Sequence, residues 1–244
     1  MISGQPILPW TKAELDAFSR TFDGHCLTSE TARYESACRL YNAMIQNRPD
    51  LILQCTSEQD VAKAVKFAQS LVPSVHIKGG GHNLSGLALG HRGITIDVSQ
   101  LRAVQVNHVA QTVLVQGGCR LSDVDSATSK FHMAVPLGTV SDTGVGGLAL
   151  GGGLGWLLPR YGLTCDNIEE VRLINADGNL VIANAKTNSD LFWALRGGGG
   201  GNYGIVLDFK FSMFPVFNVT AGSAIYELKD LQLVASRLCE INQA

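Results

Sequence analysis

The sequence predicts an α+β protein in which a parallel unit is followed by antiparallel strands. Three observations carry this prediction. A short apolar strand, a capped amphipathic helix and a second strand follow one another between residues 51 and 77, as in a β–α–β unit. Strands in which apolar and polar residues alternate follow from residue 94 onward. Glycine runs at 79–81, 138–155 and 197–204 separate these elements.

The elements of the first part are predicted from apolar spacing and capping signals. Thr56-Ser57-Glu58-Gln59 is typical of a helix N-terminus, the apolar residues after it recur on one helical face, and Pro73 ends the helix. An earlier helix ends at Arg48-Pro49. The predicted elements are helices over 11–21, over 30–47 and between Ser57 and Pro73, and strands over 51–53 and 75–77.

The elements of the second part are predicted mainly from alternating apolar residues. Ser122 and Asp125 can cap a helix that runs to about His132, and Asp177-Gly178 marks a tight turn between two strands. The predicted strands lie at 94–98, 104–106, 113–115 and 205–214 and in a hairpin over 171–183, with a helix over 189–195 and a further strand and helix from Val219 onward.

The composition predicts a soluble globular protein with few charges. The 244 residues carry a net charge of −2 and no cluster of lysine and arginine, which argues against nucleic acid and an anionic membrane surface as partners. The stretch 136–159 contains Asp142 and many glycines, so it is not predicted to span a membrane. The first ten residues lack the basic start and long apolar core of a signal peptide, and a cytoplasmic location is expected.

Several common chemistries have no signature in this sequence. The P-loop and nucleophile-elbow motifs do not occur, and the histidines and cysteines lack metal-ligand spacing, so no metal site is predicted. Free thiols are expected, with a disulfide as an open alternative. Two fragments imitate the Rossmann fingerprint, Gly144-x-Gly146-x-x-Ala149 and Gly199-x-Gly201-x-x-Gly204. Neither stands between a strand and a helix, as the Rossmann mechanism requires.

The glycine runs indicate backbone that approaches a ligand closely. Eight of the eighteen residues from 138 to 155 are glycine, and each weakens ordinary secondary structure by roughly 0.5–1 kcal/mol relative to alanine. Apolar residues such as Val145 and Leu148 lie between them, which is not typical of a solvated linker. Unshielded N–H groups suit a phosphate or pyrophosphate, and His82 directly follows the first run.

Five segments together resemble one family of FAD-linked oxidases. They are Lys78-Gly-Gly-Gly-His82-Asn83, the stretch Gly138 to Gly147, Gly151-Gly-Gly-Leu-Gly-Trp156, Tyr161-Gly-Leu-Thr-Cys-Asp-Asn167 and the stretch Asp190 to Val206. In order and spacing they are similar to the vanillyl-alcohol oxidase superfamily, which has a PCMH-type FAD-binding domain. The similarity is to the berberine-bridge-enzyme-like branch, which includes 6-hydroxynicotine oxidase, and it runs from about Arg39 to Pro215.

The resemblance implies a PCMH-type FAD-binding domain of two α+β subdomains with the dinucleotide between them. The implied organisation is an N-terminal helical segment over 1–45, the FAD-binding domain over 46–217 with subdomains of about 46–101 and 102–217, and the start of a substrate domain over 218–244. In the family, the group that handles the substrate usually comes from the substrate domain or the segment after it. No catalytic residue is therefore named in this chain.

The resemblance also implies which residues contact FAD. The loop Lys78–Asn83 would hold the pyrophosphate from one side and Asp142–Gly147 from the other, while Ile205 and Val206 would meet the cofactor through backbone groups. The expected cofactor-binding residues are Lys78, Gly79, Gly80, Gly81, His82, Asn83, Gly86, Val140, Asp142, Gly144, Gly146, Gly147, Gly153, Asn167, Asn202, Ile205 and Val206.

His82 is the residue to which the resemblance gives a covalent role. In the family, the matching histidine is bonded to the 8α carbon of the flavin ring. A neutral imidazole is a nucleophile near pH 7, and the flavin methyl group is electrophilic in its quinone-methide tautomer. The alternative is that His82 only forms hydrogen bonds. Val140 stands where many members carry a second flavin-binding cysteine, so one linkage is expected, and Lys78 replaces the usual arginine with a point charge of the same sign.

The function that the resemblance implies is that of an FAD-dependent oxidase. A small organic substrate would give a hydride to the flavin, and O2 would reoxidise it. Two alternatives stay open: a non-catalytic FAD-binding fragment or pseudoenzyme, and a MurB-like reductase that binds FAD without a covalent bond. The expected partners are a small-molecule substrate and O2, with neither nucleic acid nor membrane. The identity of the substrate and the oligomeric state are not predicted.

Overall fold

A computed structural model describes residues 10–71, 75–216, 220 and 222–243. Two β-sheets form the framework of this part of the chain. Its α-helices are α1 (Lys12–Ser19), α2 (Tyr34–Ala37), α3 (Glu58–Gln69), α4 (Leu121–Thr128), α5 (Val145–Leu150), α6 (Leu158–Tyr161), α7 (Ser189–Leu195) and α8 (Leu231–Gln243). Its strands are β1 (His25–Leu27), β2 (Leu51–Gln54), β3 (Val75–Lys78), β4 (Ile94–Asp97), β5 (Val104–Asn107), β6 (Thr112–Gln116), β7 (Met133–Ala134), β8 (Ile168–Ile174), β9 (Leu180–Asn184), β10 (Ile205–Ser212) and β11 (Phe214–Pro215).

The first sheet has the strand order β1-β2-β4-β3. β4 pairs in parallel with both β2 and β3, while β1 pairs antiparallel with β2. The parallel arrangement predicted for the β–α–β unit is therefore confirmed, with β4 inserted between its two strands. Every residue of β2 and β4 is buried, as expected for the central strands of a parallel sheet. α3 begins after Ser57, whose hydroxyl accepts a hydrogen bond from the N–H of Asp60 at 3.1 Å.

The second sheet is antiparallel and has the order β5-β6-β10-β8-β9. The predicted hairpin is confirmed as β8 and β9, with Gly178 in the turn at a φ of 74° that favours glycine. β10 lies at the centre of the sheet between β6 and β8, so it joins two strands that are distant from it in sequence. The predicted boundary near residue 101 falls between the two sheets, after β4 and before β5.

The two sheets share apolar packing, which fixes them against each other. One core cluster contains Leu51 and Ile96 of the first sheet together with Ile174, Ile205 and Leu207 of the second. A separate cluster packs β6, β8 and β10 against α4, α5 and α7. The α+β class predicted from the sequence is confirmed, and the ends of β3 and β10 come to lie on either side of one cavity.

The helix predicted over 30–47 is wrong outside Tyr34–Ala37. Beyond α2, the backbone pairs with another loop instead of with itself: the N–H of Tyr41 donates to the carbonyl of Gly81, and the Asn42 side-chain amide donates to the carbonyl of Leu84. The segment therefore packs alongside the loop that contains the first glycine run. Nearby, β1 forms a strand that apolar spacing did not predict.

The predicted caps of α4 are also corrected by the structure. The helix begins at Leu121, and the carboxylate of Asp123 accepts the N–H of Arg120 at 2.7 Å, so neither Ser122 nor Asp125 is the N-cap. A 3₁₀ turn over Ser129–Phe131 follows, and His132 ends it in a left-handed conformation with a φ of 54°.

At the C-terminal end the predicted helix is confirmed as α8. The predicted strand begins at Val219, which lies outside the described residues, and residues 222–227 form no strand. The helix stop predicted at Pro73 also lies outside the described residues. Within the described ranges, no helix combines the length and apolar character needed to cross a bilayer.

Candidate functional site

A cavity of about 760 Å³ lies where the two sheets meet. β3 and the glycine loop after it form one wall, and the N-terminal end of β10 forms another. α5 and the third glycine run close the remaining sides. All three glycine runs of the sequence therefore border the same space.

Two glycine loops touch each other backbone to backbone in this wall. A Cβ atom on Gly80 would lie 2.4 Å from the Cα and N atoms of Gly144, and one on Gly146 would lie 2.7 Å from the carbonyl oxygen of Gly117. Such distances are too short for any side chain. A Cβ on Gly147 would meet no atom within 4 Å. Glycine is therefore needed at residue 80 for the two halves to approach each other, and at residue 146 for α5 to pack on the backbone after β6.

The glycine loop after β3 leaves hydrogen-bond donors open to the cavity. None of the backbone N–H groups of residues 79–83 donates to another described residue. Buried backbone donors normally find a partner, so this loop calls for acceptors from a ligand or from water. The cavity lining, as far as the chain is described, contains no lysine, arginine, aspartate or glutamate. An anionic ligand would thus be held by peptide dipoles.

The imidazole of His82 projects at the edge of this cavity and is held on three sides. Its ring stacks on Tyr41 with the centroids 4.4 Å apart and an angle of 18° between the planes. Its Nε2 lies 3.3 Å from Oδ2 of Asp142, and its Nδ1 lies 3.5 Å from the hydroxyl oxygen of Thr143. The side chain is 17% exposed, so most of the ring is covered by its neighbours and part of it stays accessible. A ring held in this way is oriented before any ligand arrives.

Lys78, expected from the resemblance to contact the cofactor, does not place its charge in the cavity. Its ammonium donates to the carbonyl of Ala37 at 2.5 Å and lies 3.6 Å from Oδ2 of buried Asp97. Ile77 before it and Gly79 after it line the cavity. Because side chains alternate across a strand, Lys78 at the end of β3 points to the opposite side.

The structure brings together most of the other residues expected to contact the cofactor. Those that line the cavity are Gly79, Gly80, Gly81, His82, Asn83, Gly144, Gly146, Gly147, Asn202, Ile205 and Val206. Outside the lining lie Gly86, which packs on Ile45, and Gly153, which packs on Thr164. Asn167 also lies outside, since its side-chain amide donates to the carbonyls of Tyr161 and Leu163. Val140 is half exposed, and Asp142 meets His82 without reaching the lining.

Sequence reasoning missed several residues of the site. Tyr41 was hidden by the incorrect helix over 30–47, and Thr143 was not singled out although it lies between two expected residues. Gly117 lines the cavity as well, and the pair Gly117-Gly118 directly after an alternating strand was a signal that could have found it. Gly199, Gly200 and Gly201 also line the cavity.

The cavity is suited to a dinucleotide such as FAD. The open N–H groups of residues 79–83 suit phosphate oxygens, and the glycines allow close approach without a side chain in between. Apolar side chains complete the lining on both sides, among them Ile77, Leu148 and Leu150, and these suit flat aromatic rings.

The thiols lie outside this site. All six cysteines are unpaired, as the sequence predicted, and Cys55, Cys119 and Cys165 are buried. Burial raises the pKa of Cys119 to about 12, with a further increase from the negative charge of Asp123. Such a thiol is protonated near neutral pH and is not a nucleophile.

Comparison with known proteins gives a consistent result. Residues 49–184 match the family described as FAD binding domain. The chain is 32% identical over 215 residues to an uncharacterised FAD-linked oxidoreductase, YgaK, of Bacillus subtilis. It is 30% identical over 196 residues to (R)-6-hydroxynicotine oxidase of Paenarthrobacter nicotinovorans. The solved structure of BBE-like 1 from Physcomitrella patens is similar with a TM-score of 0.78 at 32% identity.

These similarities extend over most of this chain but only part of each relative. They cover 86% of the chain and 48% of YgaK, 80% of the chain and 43% of the 6-hydroxynicotine oxidase, and 82% of the chain and 44% of the Physcomitrella protein. The chain therefore spans about half the length of the curated relatives it matches.

Proposed function

Since this chain belongs to the FAD binding domain family, with berberine-bridge-enzyme-like proteins among its relatives, we propose that it is the cofactor-binding part of an FAD-dependent oxidase. When bound, FAD supplies a ring that accepts a hydride from a small organic substrate and passes the electrons to O2. The oxidase assignment is supported by the name of the 6-hydroxynicotine oxidase, which is a relative of this chain.

In this proposal the chain's own residues divide into two groups. The N–H groups of residues 79–83 and the glycines of 144–147 bind the diphosphate, and Ile205 and Val206 close the wall through their backbone. His82 anchors the flavin ring by a covalent bond to its 8α carbon. No second bond is expected, because Val140 has no nucleophilic group and is half exposed outside the cavity lining.

The observation that carries the proposal is the position of the His82 ring. Among the described residues, His82 and His76 place imidazoles in a cavity wall that is otherwise made largely of glycine backbone and apolar groups. Tyr41, Asp142 and Thr143 hold the ring in place, which lowers the entropic cost of bringing one nitrogen to the flavin.

The test uses the 244-residue chain, purified with FAD, denatured in acid and weighed as intact protein by mass spectrometry. We expect the yellow colour to remain with the precipitate, and the mass of the protein to increase by about the mass of one FAD. His82→Ala should bind FAD and release all of it on denaturation. His91→Ala is the matched control, because His91 is exposed and outside the cavity lining, and it should retain the flavin.

Other outcomes separate the alternatives. If FAD neither copurifies with the chain nor raises its melting temperature, the chain does not bind FAD and the whole proposal is wrong. If the wild-type chain binds FAD but releases all of it in acid, a non-covalent, MurB-like mode is favoured. If flavin is attached but its absorbance is not bleached by candidate alcohols, amines or sugars, a non-catalytic FAD-binding fragment or pseudoenzyme is favoured.

A further inference from the structure

The contact between His82 and Asp142 joins two glycine segments that lie 60 residues apart in the sequence. We propose that Asp142 is a positioning residue that fixes the proton of His82 on Nε2 and so makes Nδ1 the nitrogen that bonds the flavin. This inference rests on the proposed function, because it specifies how His82 is prepared for the covalent bond.

The chemistry of the contact decides which ring nitrogen of His82 carries the proton. Oδ2 of Asp142 lies 3.3 Å from Nε2 of His82. An ionised carboxylate can only accept hydrogen bonds, whereas a neutral imidazole has one N–H and one lone pair. The contact is therefore satisfied only when Nε2 carries the proton, and this leaves the lone pair on Nδ1.

The two nitrogen-bearing edges of the His82 ring have different surroundings. Nδ1 lies 3.5 Å from the hydroxyl of Thr143, which lines the cavity, while Asp142 is 54% exposed and does not line it. The Nδ1 edge is thus on the cavity side and the Nε2 edge on the outer side. Stacking on Tyr41 constrains the tilt of the ring plane, so the two edges keep these environments.

Formation of the bond between His82 and the flavin requires a two-electron oxidant. The lone pair of Nδ1 forms the bond to the 8α carbon, and that carbon loses one hydrogen as a proton. Two electrons are taken up by O2, which with that proton and one more from water gives hydrogen peroxide. The imidazole, still protonated on Nε2, becomes a cation when Nδ1 is alkylated. Asp142 faces this new positive charge directly, so it favours the bonded state as well as the correct tautomer.

The first experiment reads the tautomer without FAD. The ring nitrogens of His82 in the ¹⁵N-labelled apoprotein are assigned from long-range proton–nitrogen correlations near neutral pH. We expect the Nε2–H form in the wild-type chain, and a loss of this preference in Asp142→Asn, whose amide can donate as well as accept. An Nδ1–H form in the wild-type chain, or an unchanged tautomer in Asp142→Asn, overturns the proposal.

The second experiment measures the rate of covalent attachment after FAD is added to apoprotein. Asp142→Asn should slow attachment about tenfold, because it removes a charged hydrogen-bond acceptor. We expect no larger effect because the carboxylate is half exposed, which weakens its interaction with the ring. Asp16→Asn removes the same charge from an exposed position on α1 and should not change the rate. An Asp142→Asn rate equal to that of Asp16→Asn also overturns the proposal.

The two experiments distinguish this inference from the function on which it rests. If the wild-type chain binds FAD and never attaches it, covalent anchoring by His82 fails, and the tautomer measurement still decides the role of Asp142. If attachment proceeds and the tautomer does not depend on Asp142, only the present inference fails.

Discussion

Two regions join the sheets of this protein, and they are polar in opposite ways. In the cavity wall the polarity comes from glycine backbone, and the N–H groups of residues 79–83 have no partner among the described residues. The second region, here called the α3 seam, comprises Glu58 and Asp60 in the first turn of α3, Arg172 of β8 and Asp208 of β10. In the seam the polarity comes from charged side chains with partners in the protein: Arg172 binds Glu58 and Asp208, and Asp60 accepts from N–H and hydroxyl groups.

The pairs of the seam are short: one joins neighbouring strands of the second sheet, and the other joins that sheet to α3. Arg172 places one guanidinium nitrogen 2.7 Å from Asp208 and another 2.5 Å from Glu58. Burial raises the pKa of Asp208 despite the opposing effect of Arg172, so desolvation exceeds the attraction for this carboxyl group. Oδ1 of Asp208 has no hydrogen-bond partner among the described residues.

The two regions differ in whether their polar groups have partners within the protein. This difference decides whether those groups hold the fold together or can bind a ligand. Side-chain charges that neutralise each other hold two elements together but offer little to a ligand. Open peptide N–H groups contribute little to the fold and can bind an anion. Lys78 belongs with the side-chain charges that are neutralised within the protein, because Asp97 neutralises it. Its place next to the glycine loop in the sequence does not change this.

The largest effect is expected when the central cation of the seam is removed. Arg172→Met leaves buried Asp208 and partly exposed Glu58 without their partner, and the free energy of unfolding should fall by about 3 kcal/mol. Urea denaturation of the apoprotein at neutral pH measures it. Asp208→Asn is the matched variant and should cost less, since it removes the buried charge and leaves the pair of Arg172 with Glu58. Equal losses in the two variants would contradict the account of the seam.

A smaller loss of stability is expected from closing the space between the two glycine loops. Gly80→Ala puts a Cβ 2.4 Å from the backbone of Gly144, where neither loop has a side chain that could move away. The free energy of unfolding should fall by about 2 kcal/mol, and the affinity for FAD should fall at least about tenfold because the donors are displaced.

The control for this variant is Gly222→Ala, because a Cβ there meets no atom within 4 Å. It should leave both quantities unchanged. Denaturation in urea and titration with FAD, followed by flavin fluorescence, measure the two effects. If Gly80→Ala bound FAD as tightly as wild type, the close approach of the loops would not be part of the site.

The smallest expected effect is on the stability that Asp60 contributes and on how that stability changes with pH. Burial alone would raise the pKa of Asp60, but hydrogen bonds from Thr56 and Asp23 outweigh it and hold the pKa below its ordinary value of 3.8. A carboxyl group with a lowered pKa in the folded state contributes stability above the unfolded value and loses it as the pH falls through the folded value.

Asp60→Asn should therefore be less stable than the wild type by about 1–2 kcal/mol at neutral pH. The difference should shrink as the pH falls below 3.8. Thermal or urea denaturation across this range tests it. A difference that stays constant with pH would show that the charge of Asp60 is not what stabilises the start of α3.

The parts of the fold that the sequence predicted correctly were those with local signals. The Ser57 cap of α3, the turn at Gly178 and the alternation in β10 each depend on neighbours a few residues away. The incorrect helix over 30–47 shows the opposite case. There, the hydrogen bonds of Tyr41 and Asn42 go to the loop at residues 81–84, which no local pattern could reveal.

The sequence by itself determined the family, the three glycine runs and the placement of one histidine directly after the first of them. Only the tertiary structure decided that Lys78 turns away, that Tyr41 stacks on His82, and that Asp142 and Thr143 meet opposite edges of its ring. The reason is physical: composition and spacing act locally along the chain. The direction of a side chain and its partners depend on the path of loops packed by contacts distant in sequence.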